Sequence, residues 1–215
     1  MAVVSHRLRI VYFPIPKIAS SSIKLAIYKA DTGRDFMPEP LSRGGETEIH
    51  NVYEAQPFPV FLPLFERYSS FAIVRDPVER LLSAHRHRVM MRRDIEEARS
   101  EAENLGLPIA PDLTTFVTHL DTYRSISWMV DHHVAPQRQW LPKKLDSVSI
   151  LLPMQFVNHL PEILRKASGV DLQLPHVNDT GGSRGIDQID SKMRDLIKRY
   201  YSADVSLYEE AMRRR

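Results

Sequence analysis

The stretch FPIPKIASSSIK, residues 13–24, decides the fold, because it joins an apolar run to a helical pattern through a short polar loop. The residues that lead into it, LRIVYF at 8–13, are β-branched and aromatic and end at Pro14. Such a run predicts a buried parallel strand. After the loop, a serine-rich start and apolar residues at helical spacing predict a helix over 20–30. The chain therefore begins as a strand, a tight loop and a helix.

The same design occurs again in SSFAIVRDPVERLLSAHRHRVMM, residues 69–91. An apolar strand at 71–74 precedes Asp76, a good helix cap, and Pro77, which suits the first helical position. A long helix to residue 91 is expected to follow. Other patterns predict irregular structure at 31–63 with a short helix near 50–55, a charged helical segment at 92–104, helices near 112–120, 121–131 and 155–167, a strand near 147–153, and two C-terminal helices that break near Ser202.

Length and composition limit the possible classes of protein. The chain has 215 residues, of which 43% are hydrophobic and 26% charged, and this favours one globular α/β domain over 1–215. It contains no cysteine, which excludes disulfides, thiolate zinc sites and cysteine nucleophiles. The apolar run at the N-terminus is too short for a signal peptide, and no run could span a membrane. We therefore expect a cytosolic location and no membrane span.

The polar loop after the first strand has the features of an anion site. A helix N-terminus offers free backbone N–H groups and the positive end of its dipole, and Lys17 with the small residues 19–22 can add donors without glycine. A serine-rich cap beside a surface lysine is the structural alternative. In the nucleoside triphosphate loop the lysine follows two glycines and precedes a magnesium-binding Ser or Thr, whereas Lys17 precedes the small residues. A kinase that uses ATP and magnesium is therefore the weaker interpretation.

A second candidate anion site follows the later strand. Arg75 comes directly after the strand, where it could hold a phosphate bidentately. Ser83 lies eight residues later, on the same predicted helix face as Arg80. The alternative is a structural ion pair between one of these arginines and Asp76 or Glu79.

Together, PKIASSS (16–22) and RDPVERLLSAHR (75–86) resemble the motifs of sulfotransferases that use 3′-phosphoadenosine 5′-phosphosulfate (PAPS), especially the carbohydrate-type branch. The loop looks most like that of uronyl 2-O-sulfotransferases. Weaker similarity extends in order through HHVAPQRQWL (132–141), LPHVNDT (174–180) and YYSADVSLYEEA (200–211). The resemblance implies a single domain with a three-layer α/β/α fold around a central parallel sheet, related to the P-loop nucleotide kinases.

The resemblance also implies a co-substrate and the residues that bind it. PAPS would donate a sulfuryl group to a hydroxyl of a carbohydrate or another small acceptor. Its 3′-phosphate would be held by Arg75 and Ser83, and Arg184 in TGGSRG (180–185) could close over it. The residues implied to hold the 5′-phosphosulfate are Lys17, Ala19, Ser20, Ser21 and Ser22, with Lys17 also stabilising the leaving phosphate.

Transfer to a hydroxyl calls for a general base. His50 lies between the two motifs, where several relatives place a catalytic histidine, and imidazole titrates near neutral pH. A loop histidine without a catalytic role is the alternative. Other candidates for the base are Glu46, Glu48, Glu54 and His133.

His133 and Gln137 lie in the stretch that lines the acceptor side in the family, so both are expected to contact substrate. No metal site is expected, because the paired histidines at 85 and 87 and at 132 and 133 lack a third ligand at a suitable spacing. A sulfonate carries one charge and needs no metal bridge.

A non-catalytic module that binds a polyanion through HRHRVMMRR (85–93) is the remaining alternative. The formal net charge of +2 argues against a general nucleic-acid binder, and the stretch lacks the aromatic residues on which single strands stack. The basic stretch is therefore expected to supply positive potential near a nucleotide or an anionic acceptor.

Overall fold

The computed structural model describes residues 2–42, 44–53, 67–174 and 189–214. These residues form two compact units. The first unit contains the described residues of Met1–Val74, Trp140–Asn178 and Glu210–Arg215, and the second those of Arg75–Gln139 and Asp179–Glu209. The single domain expected over 1–215 stays a prediction.

A four-stranded sheet lies in the first unit, and its strands are neighbours in chain order. The inner strand β2 is buried at every residue, as is typical of strands covered on both faces. Strands β2, β3 and β4 are parallel, with Phe13 opposite Ala72 and Val74 opposite Pro153. The strands are β1 Val3–Ser5, β2 Ile10–Phe13, β3 Ser69–Val74 and β4 Ile150–Pro153.

Helices flank this sheet, which confirms the predicted α/β class. The α-helices of the described residues are α1 Ser20–Thr32, α2 Ile49–Val52, α3 Pro77–Ala84, α4 Arg99–Asn104, α5 Leu113–Thr118, α6 Leu120–Ile126, α7 Trp128–Val134, α8 Leu160–Ser168, α9 Ser191–Tyr200 and α10 Ser202–Arg213. Short 3-10 helices occupy Asp94–Ala98, Gln137–Trp140, Leu145–Ser147 and Met154–His159. In these residues, none of the helices combines the length and the apolar character that a bilayer span requires.

The N-terminus differs from the single strand expected there. Ser5 pairs with Ile10, so β1 runs antiparallel to β2 and the sheet is mixed rather than wholly parallel. In the turn between them, Arg9 has a φ of 52°, and the backbone N–H of Leu8 donates to Ser5 Oγ at 3.0 Å. The turn contains no glycine, proline or asparagine. The residue types that usually mark a hairpin were therefore missing from the pattern.

Helix α1 begins and ends close to the predicted positions. It buries Ile23, Ala26 and Ile27, the residues whose spacing predicted it. It ends at Gly33, whose φ of 72° is left-handed and whose N–H donates to the carbonyl of Lys29. Helix α8, from the same unit, packs beside β3.

The second unit has a core of its own, and α3 begins it as predicted. Asp76 accepts hydrogen bonds from the N–H groups of Val78 and Glu79, at 2.9 and 3.1 Å, and Pro77 is the first helical residue. The predicted helix continues to residue 91, but His85–Met91 form π-helical rather than α-helical turns. The largest members of the core are Phe116, Tyr123, Tyr201, Leu81, Leu120 and Ile197.

The π-helical turns carry two of the basic residues into this core. His85 donates from Nε2 to the carbonyl of Pro111 at 2.9 Å, and burial lowers the pKa of its imidazole. Arg88 is 8% exposed and forms an ion pair with Asp94. Because Asp94 offsets its charge, Arg88 contributes less to a positive surface than the sequence suggested.

Candidate functional site

The loop before α1 replaces glycine with two residues in left-handed conformation. Lys17 has a φ of 68° and Ala19 a φ of 49°. Ala19 is the N-cap of α1, and its carbonyl accepts the first helical hydrogen bond from Ile23 at 3.0 Å. Backbone conformations of this kind cost about 1–3 kcal/mol for a residue with a side chain, and they concentrate at ligand-binding loops.

The first turn of α1 has no side-chain cap hydrogen bond and no acidic residue. The N-cap is Ala19 and not a serine, so the serine cap considered as the structural alternative does not form. In α3, by contrast, the carboxylate of Asp76 occupies the N–H groups of the first turn. An uncapped start on a helix of 13 residues leaves backbone donors and the positive dipole end for an anionic ligand.

The left-handed backbone at Ala19 makes a test of the loop possible. We expect Ala19→Val to lower the free energy of unfolding by about 1–2 kcal/mol, because a β-branched side chain tolerates positive φ poorly. Ala19→Gly should be neutral or stabilising by up to about 1 kcal/mol. Urea unfolding of the apoprotein measures both. The matched control is Ala30→Val within α1, which should cost less than about 1 kcal/mol; an equal loss at both positions would contradict the interpretation.

His50, the predicted general base, contacts the start of α1. Its Nε2 lies 2.9 Å from Ser21 Oγ, and its Nδ1 lies 3.2 Å from Lys24 Nζ. Ser21 and Lys24 are three residues apart on α1, so one helix face holds both ring nitrogens. The structure therefore brings the histidine of α2 against one of the serines predicted to hold the phosphosulfate.

Sequence reasoning missed Lys24 as part of this cluster. Lys24 is only 5% exposed, and burial lowers the pKa of its ammonium group. An ammonium would donate to Nδ1 of His50 and keep the ring proton on Nε2. A neutral amine can instead accept from Nδ1–H, so that the lone pair of Nε2 faces Ser21. The lowered pKa increases the share of this second arrangement, in which Nε2 can accept a proton. The spacing of Ser21 and Lys24 was the only signal in the sequence.

Short contacts on both sides of His50 hold α2 in place. Ile49 is 6% exposed, and the side chains of Glu48 and Asn51 form a reciprocal capping box at the start of the helix. After the helix, the hydroxyl of Tyr53 donates to Asp31 near the end of α1, at 3.4 Å. His50 therefore extends from a helix anchored to α1 rather than from an unsupported loop.

A cleft of about 650 Å³ opens beside this cluster within the first unit. Ser21 and His50 line it, together with two of the alternative bases, Glu46 and Glu48. The third, Glu54, lies outside the described residues. His50, Glu46 and Glu48, the described candidates for the base in this segment, therefore line the same cleft.

Arg75, in the second unit, is fixed by Gln137. The Gln137 side chain accepts from the backbone N–H of Arg75 at 2.9 Å and donates to its carbonyl at 2.8 Å. Gln137 is fully buried, and its own N–H donates to Asp204, also fully buried, at 2.7 Å. A second bond to Asp204 comes from the N–H of Arg138, and burial raises the pKa of this carboxyl. The amide of Gln137 is thus occupied by Arg75, and its expected substrate contact stays a prediction that this geometry does not favour.

The guanidinium of Arg75 pairs with Glu79, with Nε 3.2 Å from the carboxylate. The structural ion pair considered from the sequence is therefore present. It uses one N–H of a group that carries five. Arg80 is 2% exposed and donates to the carbonyl of His133 at 3.1 Å, whereas Ser83 is half-buried.

The double hydrogen bond of Gln137 predicts a measurable loss. Gln137→Leu should lower the free energy of unfolding by about 2–3 kcal/mol, because both backbone groups of Arg75 would be buried without partners. Gln137→Glu can still accept from the N–H but cannot donate to the carbonyl while ionised. The difference in the free energy of unfolding between Gln137→Glu and the unmodified protein should therefore shrink as the pH falls and the carboxyl becomes protonated.

Urea unfolding between about pH 4 and pH 8 measures this dependence. The exposed Gln139 provides the control, and Gln139→Leu should stay within about 0.5 kcal/mol of the unmodified protein. A pH-independent deficit in Gln137→Glu would contradict the assignment of the two bonds.

His133 keeps a protonation pattern suited to a base. Its Nδ1 lies 2.8 Å from the carbonyl of Met129, which can only accept, so Nδ1 carries the proton of the neutral ring. The ring of His132 lies 5.0 Å from that of His133.

Arg184, predicted to close over the 3′-phosphate, lies outside the described residues. Within the residues that are described, no set of three metal-ligating side chains occurs.

The chain is similar to a known protein family. A family model described as the sulfotransferase family matches residues 1–209, which is nearly the whole chain. No curated protein and no solved structure matches the chain significantly. The matched region includes both motifs from which the resemblance was drawn, and the mixed, mostly parallel sheet with flanking helices agrees with it. The chain belongs to the sulfotransferase family, whose members transfer sulfuryl groups.

Proposed function

We propose that this protein transfers a sulfuryl group from PAPS to a hydroxyl group of a carbohydrate or another small acceptor. The start of α1 carries the proposal. Two left-handed residues there lead into a first turn with no side-chain cap and no acidic residue, and that turn is rich in serine. Each of these features suits an anionic group close to the backbone.

Residues keep the roles that the motifs imply. In this proposal the 5′-phosphosulfate is held by the backbone N–H groups and hydroxyls of residues 19–22 together with Lys17. Arg75 and Ser83 bind the 3′-phosphate, with help from Arg184. Gln137 and Asp204 act as positioning residues, because they hold the backbone of Arg75 rather than a ligand.

The reaction forms a bond between the acceptor oxygen and sulfur while the bond from sulfur to the 5′-phosphate oxygen breaks. Negative charge grows on the leaving phosphate, and Lys17 with the N–H groups of α1 stabilises it. The hydroxyl proton passes to Nε2 of His50 when Lys24 is a neutral amine and Nδ1 carries the proton of the ring. The contact with Ser21 keeps this nitrogen at the start of α1, and Lys24 holds the opposite side of the ring.

Calorimetry with two nucleotides tests the proposal against its rivals. Adenosine 3′,5′-bisphosphate should bind in EDTA, and Arg75→Ala should weaken it about tenfold or more. A kinase would instead require ATP with magnesium. A module for polyanions would show steep salt dependence and no effect of changing Lys17. Failure of the bisphosphate to bind would overturn the proposal.

The choice of a carbohydrate acceptor and the cytosolic location rest on the sequence alone. The first is tested by assaying sulfuryl transfer from PAPS to a panel of sugars, and the second by fractionating cells that express the full chain.

A further inference from the structure

The cleft beside His50 has an apolar wall. Leu25 lies one helical turn after Ser21 on α1 and is half-buried. Phe36 and Pro38 continue the wall, and the ring of Phe36 meets that of Tyr28 edge to face at 5.5 Å. A volume of about 650 Å³ lies within the range of sites for small ligands, which are mostly apolar with a few polar groups.

Backbone hydrogen bonds join the described residues on either side of position 43, several of which line the cleft. The N–H of Leu41 donates to the carbonyl of Gly45 at 3.0 Å, and the N–H of Thr47 donates to that of Glu39 at 2.8 Å. Gly45 has a φ of 83°, a conformation that favours glycine. These bonds hold the backbone of Gly45 and Thr47 in place. The side chains of Glu46 and Thr47 therefore start from defined positions beside the cleft.

The described side chains that line the cleft carry net negative charge. Among the described residues that line it, the acidic side chains are Glu46 and Glu48, both exposed, and no lysine or arginine is present. His50 and Ser21 provide the remaining polar side chains apart from Thr47. An acceptor that carries carboxylate or sulfate groups would meet like charge here, which weakens binding even where water screens part of the effect.

We propose that this cleft binds the acceptor, and that the acceptor is an uncharged hydroxyl compound with an apolar face rather than an acidic polysaccharide. The proposal rests on the proposed sulfotransferase function. The hydroxyl points to His50 and Ser21, while the apolar face packs against Leu25 and Phe36. In this proposal the loop that resembles that of uronyl 2-O-sulfotransferases contacts the donor. The acceptor, unlike a uronic acid, is uncharged.

Three glycosides separate charge from apolar contact. 4-Nitrophenyl β-glucoside and 4-nitrophenyl β-glucuronide differ only at C6, where the glucuronide has a carboxylate in place of the CH2OH group, and methyl β-glucoside lacks the aromatic ring. Binding to the full chain loaded with adenosine 3′,5′-bisphosphate is measured by saturation-transfer NMR, and transfer from PAPS by product formation. We expect the nitrophenyl glucoside to exceed each of the others about tenfold in affinity and in kcat/KM.

Variants assign the preference to the cleft. Glu46→Gln and Glu48→Gln should each bring the glucuronide closer to the glucoside by about threefold, and glutamine at 48 can still accept the capping bond. Glu162→Gln, on an exposed part of α8, should leave the ratio unchanged. Phe36→Ala should weaken the nitrophenyl glucoside about tenfold, and Phe36→Leu serves if the alanine variant does not fold.

The outcomes are distinct. A glucuronide that is bound or used as well as the glucoside overturns the inference on charge, although transfer to either keeps the proposed function. Absence of binding by both neutral glycosides, with the bisphosphate still bound, overturns the cleft as the acceptor site. Loss of bisphosphate binding in the unmodified protein overturns the proposed function itself.

Discussion

Replacing Lys17 with methionine is expected to lower kcat about 10²- to 10³-fold, the loss typical of removing one group that stabilises charge in the transition state. Methionine keeps the length and the apolar stem of the side chain but removes its charge. Affinity for adenosine 3′,5′-bisphosphate should fall tenfold or less, because the variant keeps the backbone donors of α1 and the residues proposed to bind the 3′-phosphate. Product formation from PAPS gives the first quantity and calorimetry the second.

Lys166→Met is the matched control for this experiment. Lys166 is an exposed lysine on α8 in the same unit and pairs with Glu162, and its loss should change neither quantity. An equal fall in turnover and in bisphosphate affinity would instead make Lys17 a residue that binds the donor in the ground state. Arg75 would then need to be tested for the role of stabilising the leaving group.

The second large effect is expected at His50. His50→Gln should lower kcat about 10²- to 10⁴-fold, because glutamine can hold Ser21 by a hydrogen bond but cannot take up the acceptor's proton. Bisphosphate affinity should stay within about twofold of the unmodified protein. Single-turnover rates with a saturating acceptor separate the chemical step from product release.

His159→Gln, an exposed histidine in the same unit, controls for the loss of an imidazole. Retained turnover in His50→Gln would move the general base to Glu46 or Glu48, which line the same cleft, or to His133. Glutamine variants of those residues would then identify it.

The sequence predicted the elements that local patterns encode. The alternation of strand and helix, the cap at Asp76 and the break before Ser202 are local, and each is found in the structure. What it could not predict depends on contacts between distant residues. Gln137 lies 62 residues from Arg75, and no periodic pattern links the two positions. The burial of Lys24 was equally hidden, because a lysine within a helix is usually exposed.

The candidate site was predicted in part for the same reason. The loop and the histidine were recognised from residue type and order, and the structure adds the contact between His50 and Ser21. The left-handed backbone of Lys17 and Ala19 could not be predicted, since neither residue type favours it. The expected substrate contact of Gln137 came from its neighbours in the chain, whereas its amide is used within the fold.

The loop without glycine also bears on the thermodynamics of ligand binding. Glycine-rich loops sample many backbone conformations, and an anion that binds them must select one. In this loop, alanine and serine side chains narrow that ensemble, and the left-handed residues at 17 and 19 are set when the protein folds. The conformational entropy of the loop is therefore lost when the protein folds rather than when the anion binds. An anionic nucleotide should bind with a smaller entropic penalty here than at a loop of the glycine-rich type.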